Sequence, residues 1–169
     1  MLSFIFSLLF ILNPTETVYP FSVKDITGKT IDLRQYKGRK ILFVNVASEC
    51  GYTKQYEALQ ALSEQYKKTL VVIGVPANNF GGQEPGTNEE IKAFCSKTYQ
   101  VTFPLTSKVS VKGDDIDPLF SWLTAQANPD FTGDIKWNFE KFLVDENGKL
   151  IRRFRSKVKP LDEELIKAL

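Results

Sequence analysis

The sequence predicts a single α/β domain with a central mixed sheet, flanking helices and an N-terminal β-hairpin. Two nearly continuous apolar runs, Lys40–Ser48 and Leu70–Pro76, have the β-branched composition of strands buried on both faces. Between them, apolar residues recur at helical spacing from Tyr56 to Tyr66, which predicts an amphipathic helix that begins near Thr53. A strand, a helix and a second strand in this order indicate a parallel pair joined by a helical crossover.

Short turns that contain glycine predict two β-hairpins. Their strands are Phe21–Ile26 and Thr30–Leu33 around Thr27-Gly28, and Phe139–Val144 and Lys149–Phe154 around Asn147-Gly148. A loop at Asn78–Gly86 precedes Thr87 and Glu90, whose spacing is that of a capping box at the start of a second helix. Leu161–Leu169 is expected to form a closing helix. This order of elements describes a thioredoxin-like α/β sandwich.

Composition excludes several classes of site. The 169 residues suit one domain, and the 22 basic and 20 acidic side chains are interspersed, so no nucleic-acid surface is expected. The chain has no histidine, which excludes Ser-His-Asp and Cys-His catalysis and every His-ligated metal site. The only cysteines, Cys50 and Cys95, are too few for a four-cysteine zinc site and too far apart for a CxxC motif. They either pair with each other or act alone.

The N-terminus is separate from this domain. Residues 1–12 are almost wholly apolar, and Asn13-Pro14 then breaks any helix. We expect residues 1–20 to be a signal peptide or an N-terminal apolar anchor, with the domain at residues 21–169. An exported or membrane-anchored location, periplasmic or secreted, is therefore favoured over the cytoplasm. No basic residue precedes the run and no A-x-A site follows it, so a docked apolar terminus or a misassigned start is the alternative.

Cys50 is the candidate nucleophile. It directly follows one predicted buried strand and comes just before a predicted helix. Unpaired backbone N–H groups and the positive end of a helix dipole favour a thiolate at such a position, and the thiolate is the reactive form. The alternative from position alone is a buried, inert cysteine, which is common for this residue type.

Three sequence blocks carry a family resemblance. They are Asn45–Thr53 (NVASECGYT), Phe80–Gly86 (FGGQEPG) and Trp137–Val144 (WNFEKFLV). Each is similar to a signature block of the glutathione peroxidase family, and the three occur in the family's order. The likeness covers the chain from about Phe21 to its end.

The resemblance implies an active site of four side chains: Cys50, Gln83, Trp137 and Asn138. Attack of a thiolate on an O–O bond needs hydrogen-bond donors for the thiolate and the departing oxygen, and an indole N–H and two amides supply them. This chemistry needs no metal and no organic cofactor. Three nearby lysines could add positive potential, but we expect them on the solvated surface: Lys54, Lys136 and Lys141.

The resemblance also gives Cys95 a role. Position 50 is cysteine where some relatives have selenocysteine, and a sulfenic acid formed there is open to over-oxidation unless a second thiol condenses with it. Many non-selenium relatives carry a resolving cysteine at the place of Cys95 and are recycled by thioredoxin. Alternatively, Cys95 belongs only to the apolar face of its helix. A Cys50–Cys95 disulfide would require that helix to loosen, since bonded cysteines have Cα atoms about 4.4–6.8 Å apart.

This sequence departs from the family's pattern at two places, and each limits what the resemblance implies. The family's usual Pro-Cys-Asn-Gln-Phe is Pro-Ala-Asn-Asn-Phe at residues 76–80, so mechanisms that use that cysteine do not apply. Only a short stretch separates Leu123 from Trp137, where tetrameric relatives have a long insertion. This resembles the monomeric branch, whose open site accepts bulky lipid hydroperoxides as well as hydrogen peroxide.

The sequence therefore predicts a peroxidase that reduces hydrogen peroxide and organic or lipid hydroperoxides through Cys50. Cys95 would resolve the sulfenic acid, and thioredoxin or glutathione would recycle the enzyme. The enzyme would act in the response to oxidative stress. A peroxiredoxin is the rival enzyme, but no Pro-x3-Thr/Ser-x2-Cys arrangement surrounds Cys50. The alternative function is a peroxide sensor that passes its disulfide to a partner protein, because the same two cysteines would serve it.

Overall fold

The computed structural model describes residues 16–169. Most of the predicted signal peptide or anchor lies outside the described residues, and that assignment stays a prediction. Within residues 16–169, no helix combines the length and apolar character needed to cross a membrane.

The strands follow the predicted order. β1 (Ser22–Lys24) and β2 (Thr30–Asp32) form a small antiparallel hairpin, and a 3₁₀ turn follows at Leu33–Tyr36. The central sheet contains β3 (Lys40–Val46), β4 (Leu70–Pro76), β5 (Lys141–Val144) and β6 (Leu150–Phe154). Its spatial order is β4-β3-β5-β6, with β3 parallel to β4 and the other two pairs antiparallel. The predicted mixed sheet is confirmed.

In the described part of the chain, residues 16–169, four helices flank the sheet. They are α1 (Gln55–Gln65), α2 (Asn88–Tyr99), α3 (Pro118–Ala125) and α4 (Glu163–Ile166). Both hydrogen bonds of the capping box predicted at Thr87 are present. The helix α3 was not predicted, although Asp117 accepts a hydrogen bond from the Leu119 N–H and Pro118 occupies the first turn, which are ordinary start signals. The closing helix is also shorter than its predicted nine residues.

The two faces of the sheet bury separate apolar cores, because successive side chains of a strand point to opposite faces. Ile41 and Phe43 pack in the core that contains α3. Leu42 and Val44 pack in the core that contains Cys95 and the apolar sides of α1 and α2, with Cys50 at its edge. Both cysteines are therefore on the same face of the sheet.

The packed domain begins before residue 21. Val18 is fully buried, and its N–H donates to the Gly148 carbonyl at 2.8 Å. The Tyr19 hydroxyl donates to the Glu146 carbonyl at 2.6 Å. A Cβ atom added to Gly148 would lie only 2.6 Å from the Tyr19 ring, which is too close for any side chain. The residues before β1 thus cover the β5–β6 turn, and the glycine there is required both by its positive φ and by this contact.

We predict that a chain of residues 21–169 is measurably less stable than a chain of residues 16–169. The shorter chain loses two buried side chains, and each contributes about 1.5–3 kcal/mol when fully buried. Urea unfolding of the two chains should therefore differ by about 3 kcal/mol or more. Equal unfolding free energies would show that Val18 and Tyr19 add nothing to the core.

Candidate active site

Cys50 lies in a tight turn after β3, closed by a buried threonine. The Cys50 N–H donates to Thr53 Oγ1 at 2.9 Å, and that hydroxyl donates to the Ala47 carbonyl at 2.9 Å. The Tyr52 N–H donates to Cys50 Sγ at 3.4 Å. Cys50 is half-buried and its thiol is free. Helix α1 begins only at Gln55, two residues later than predicted, so the N–H at the sulfur comes from the turn and not from the helix.

The two predicted amide residues are in direct contact. Asn138 is fully buried, and its Nδ2 donates to Gln83 Oε1 at 3.0 Å. Because the Gln83 oxygen is used in this way, its NH₂ group is the part that can donate to a bound molecule. The Gln83 carbonyl in turn accepts from the Glu49 N–H at 3.0 Å. One backbone hydrogen bond therefore ties the Gln83 loop to the residue before Cys50.

Trp137 completes the cluster and is its most exposed member, with 40% of its surface accessible. Its ring packs against Phe80 with centroids 5.9 Å apart. A Cβ on Gly81 would lie 3.7 Å from the Trp137 ring, and Gly81 has a positive φ of 66°. The glycine-rich loop thus follows the edge of the indole closely while it delivers Gln83.

Asn45 holds the Trp137–Glu140 segment against the sheet. Its Nδ2 donates to the Trp137 carbonyl at 3.1 Å, and its Oδ1 accepts from the Glu140 N–H at 3.0 Å. The Phe139 N–H donates to the Asn45 carbonyl at 2.6 Å, and Phe139 has the left-handed φ of 63°. Site prediction did not assign Asn45 a role. A lone amide inside an apolar strand was the available signal, because buried polar side chains require partners.

Cys95 lies apart from this cluster, within α2. It is fully buried, its thiol is free, and it packs in the same core as α1. Burial raises the pKa of the Cys95 thiol to about 11. The Tyr56 hydroxyl is a polar neighbour of this thiol, in a geometry that falls short of an ordinary hydrogen bond.

The expectation of a surface position is wrong for one of the three lysines. Lys54 and Lys136 are exposed, but Lys141 on β5 is fully buried. Its Nζ donates to Gln55 Oε1 at 2.5 Å and to the carbonyls of Ser156 and Val158. Burial lowers its pKa to about 7. Lys141 therefore connects the sheet to the first residue of α1, which the period-two strand pattern alone could not indicate.

The arrangement combines one accessible thiol with neutral hydrogen-bond donors. Cys50 is the only thiol in residues 16–169 that solvent reaches, and the Gln83–Asn138 pair is tied to its turn through the Glu49 N–H. The Trp137 ring packs on the same glycine-rich loop as Gln83. No group of three or more His, Cys, Asp or Glu side chains in these residues could hold a metal ion. Such a site can bind a small polar molecule at the sulfur and stabilise negative charge on it.

Comparison with known proteins identifies the family. The family model described as glutathione peroxidase matches residues 18–124. "Glutathione peroxidase homolog BsaA" of Staphylococcus aureus is 49% identical over 150 residues, which are 88% of this chain and 95% of that protein. "Hydroperoxy fatty acid reductase gpx1" of Synechocystis is 48% identical, over 86% and 90% of the two chains. "Glutathione peroxidase-like peroxiredoxin 2" of Saccharomyces cerevisiae is 46% identical, over 89% and 96%.

Solved structures give the same family and fold. The crystal structure of "Trgpx in apo form" is 38% identical, with a TM-score of 0.69 over 90% of this chain and 94% of that one. A thiol:disulfide interchange protein of the thioredoxin family from Chlorobium tepidum is only 14% identical. Its TM-score of 0.66, over 88% and 91% of the two chains, shows the shared fold alone. The chain belongs to the glutathione peroxidase family, and it is a glutathione peroxidase-like thiol peroxidase with a thioredoxin-like fold.

Proposed function

We propose that this enzyme reduces hydroperoxides at Cys50 by a two-cysteine mechanism. The observation that carries the proposal is the Gln83–Asn138 amide pair, hydrogen-bonded through Glu49 to the turn that presents an accessible Cys50. The Cys50 thiolate attacks the terminal oxygen of ROOH, the O–O bond breaks, and Cys50 becomes a sulfenic acid. The departing alkoxide takes up a proton and leaves as ROH.

The neutral donors have separate roles in this step. Gln83 donates through its amide NH₂ and Trp137 through its indole N–H, each to the oxygen on which negative charge develops. Asn138 positions the Gln83 side chain through the 3.0 Å hydrogen bond between them. Trp137 is exposed enough to contact a bulky substrate.

Cys95 then resolves the sulfenic acid as an intramolecular disulfide. Both thiols border the same apolar core, which supports this pairing over one between two molecules. Cys95 has no exposed surface, so α2 must open locally before the two sulfurs can bond. Thioredoxin or glutathione reduces the disulfide and completes the cycle. We further propose that the enzyme acts as a monomer.

The proposed substrates include organic and lipid hydroperoxides as well as hydrogen peroxide. The name of the Synechocystis relative, a hydroperoxy fatty acid reductase, supports this range. The yeast relative named as a peroxiredoxin supports a thiol reductant. The short connection between α3 and Trp137 leaves the indole uncovered, which supports access for a long acyl chain.

Cys50→Ser should abolish peroxidase turnover, because a hydroxyl replaces the attacking thiolate. Cys95→Ser is the matched control: it should consume the first equivalent of peroxide at the wild-type rate and then stall as sulfenic acid. Stopped-flow peroxide consumption with a thioredoxin system and intact-mass measurement follow both variants. Substantial turnover by Cys50→Ser would refute the assignment of the nucleophile. Turnover by Cys95→Ser at the wild-type rate would show that Cys95 is only a core residue.

Asn138→Ala should slow the peroxide step by roughly 10²–10³-fold, as loss of a comparable donor does elsewhere. The cause is the freed Gln83 side chain, which no longer stays aligned with the sulfur. Asn79→Ala is the control: Asn79 bonds Ser110 in a neighbouring loop, so it tests the loss of an amide away from the reaction. The second-order rate constant with hydrogen peroxide is the measurement. An Asn138→Ala rate equal to that of Asn79→Ala would contradict the positioning role.

A further inference from the structure

A cavity is lined by both chain segments that lead to the cysteines. Its volume is about 490 Å³. Its lining includes Ser48 and Glu49, which precede Cys50, and Ile91 and Phe94 of α2, which precede Cys95. The Glu84–Gly86 segment lines the same cavity. If α2 opens so that Cys95 can approach Cys50, the thiol enters the space bounded by these residues.

Glu84 is the unusual group in this wall. It has no exposed surface, and no hydrogen bond of ordinary geometry reaches either carboxyl oxygen in residues 16–169, although the hydroxyl and the N–H of Ser48 lie near enough to favour the carboxylate. Its backbone is nevertheless fixed, because its N–H donates to Asn78 Oδ1 at 2.8 Å and its carbonyl accepts from Lys108 Nζ at 3.1 Å. The Ser48 hydroxyl likewise has no hydrogen bond of ordinary geometry in the described residues. Burying a carboxyl group without ordinary hydrogen bonds costs folding free energy, which points to a role for Glu84 other than stability.

The groups around Glu84 come from two loops and two helices. Burial is the main cause that raises the Glu84 pKa; Glu49 raises it further, whereas Ser48 and Lys108 lower it. From the helices, Tyr56 of α1 and Cys95 of α2 both interact electrostatically with Glu84. Its carboxylate therefore becomes a stronger base than a solvated one, within electrostatic range of the Cys95 thiol.

Resolution needs such a base. While it is buried, Cys95 has a pKa of about 11 and is held as the neutral thiol, so it still has to lose a proton when α2 opens and it approaches Cys50. The thiolate is the form that attacks sulfur. The leaving hydroxyl of the sulfenic acid, in turn, requires a proton to depart as water. One group that first accepts and then donates a proton would serve both needs.

We propose that Glu84 is the proton-transfer residue of the resolving step: it accepts the proton of Cys95 and donates it to the hydroxyl that leaves Cys50. The S–O bond of the sulfenic acid breaks as the S–S bond forms. The products are the Cys50–Cys95 disulfide and one water, and Glu84 returns to its carboxylate. No further oxidant or reductant is needed. This inference rests on the proposed two-cysteine function and adds the acid–base group to it.

The test compares Glu84→Gln with Glu90→Gln in the full chain. Glu90 lines the same cavity and is exposed, and glutamine retains its place in the capping box. After one equivalent of hydrogen peroxide, rapid quench and mass spectrometry separately follow sulfenic acid and disulfide. We expect both variants to form sulfenic acid at the wild-type rate. Glu84→Gln alone should form the disulfide at least about 10²-fold more slowly and accumulate sulfinic acid.

The pH profile distinguishes proton transfer from a packing role. In wild type, disulfide formation should slow as pH falls through the raised pKa of Glu84, because the protonated acid cannot accept a proton. The deficit of Glu84→Gln should shrink as pH rises toward the pKa of Cys95, because the thiol then ionises without help. A deficit that is constant with pH, or a disulfide rate within threefold of wild type, would overturn the proposal.

Two further results keep the tests separate. If wild type itself forms no Cys50–Cys95 disulfide, the two-cysteine function fails and the role of Glu84 falls with it. If wild type forms the disulfide and Glu84→Gln does so equally fast, only the role of Glu84 falls. Should Glu84→Gln not fold, the pH profile of wild-type disulfide formation decides: a rate that falls as pH drops through the raised pKa of Glu84 supports the proposal, and a rate that does not change there overturns it.

Discussion

The polar contacts of Asn45, buried near the end of the apolar strand β3, hold the candidate active site together. Its side-chain amide bonds the Trp137 carbonyl and the Glu140 N–H, and its backbone carbonyl accepts from the N–H of Phe139, which has a left-handed φ. Asn138 lies between those anchored residues, so its amide reaches Gln83 from a fixed position. Without Asn45, buried backbone groups would lose their partners, at about 1–3 kcal/mol each. The position of the Trp137 backbone and the contact between Asn138 and Gln83 depend on that interaction.

The two thiols occupy opposite environments on one face of the sheet. Cys50 is reachable from solvent and bonded by a turn N–H, whereas Cys95 is sealed in the core and its thiol is held protonated by burial. This difference favours a division of work in which only Cys50 meets peroxide. For the proposed disulfide to form, Cys95 would have to leave the core and lose its proton. Glu84, a buried residue in the wall of the cavity that both segments line, is the base proposed for that proton.

Much of the fold followed from short-range patterns. The buried strands β3 and β4, the hairpin turns and the capping box at Thr87 were predicted because apolar periodicity and turn residues act locally. The helix α3 was missed because its eight residues are too few for apolar periodicity to distinguish a helix from another buried segment. β5 begins at Lys141 and not at Phe139, because Phe139 turns left-handed to meet Asn45, a contact 94 residues away along the chain.

Blocks of residues were enough to predict candidate site residues, but not the environments that tertiary packing creates. Cys50, Gln83, Trp137 and Asn138 were predicted from such blocks, the structure brings Gln83 and Asn138 into contact, and their catalytic roles stay a prediction. The buried states of Lys141 and Glu84 depend on neighbours from other elements. The most direct test of the account counts free thiols in the reduced protein after one equivalent of hydroperoxide. The account predicts that both thiols disappear, that the intact mass falls by two hydrogens, and that no dimer forms. One surviving thiol on a monomer that keeps the added oxygen would contradict it.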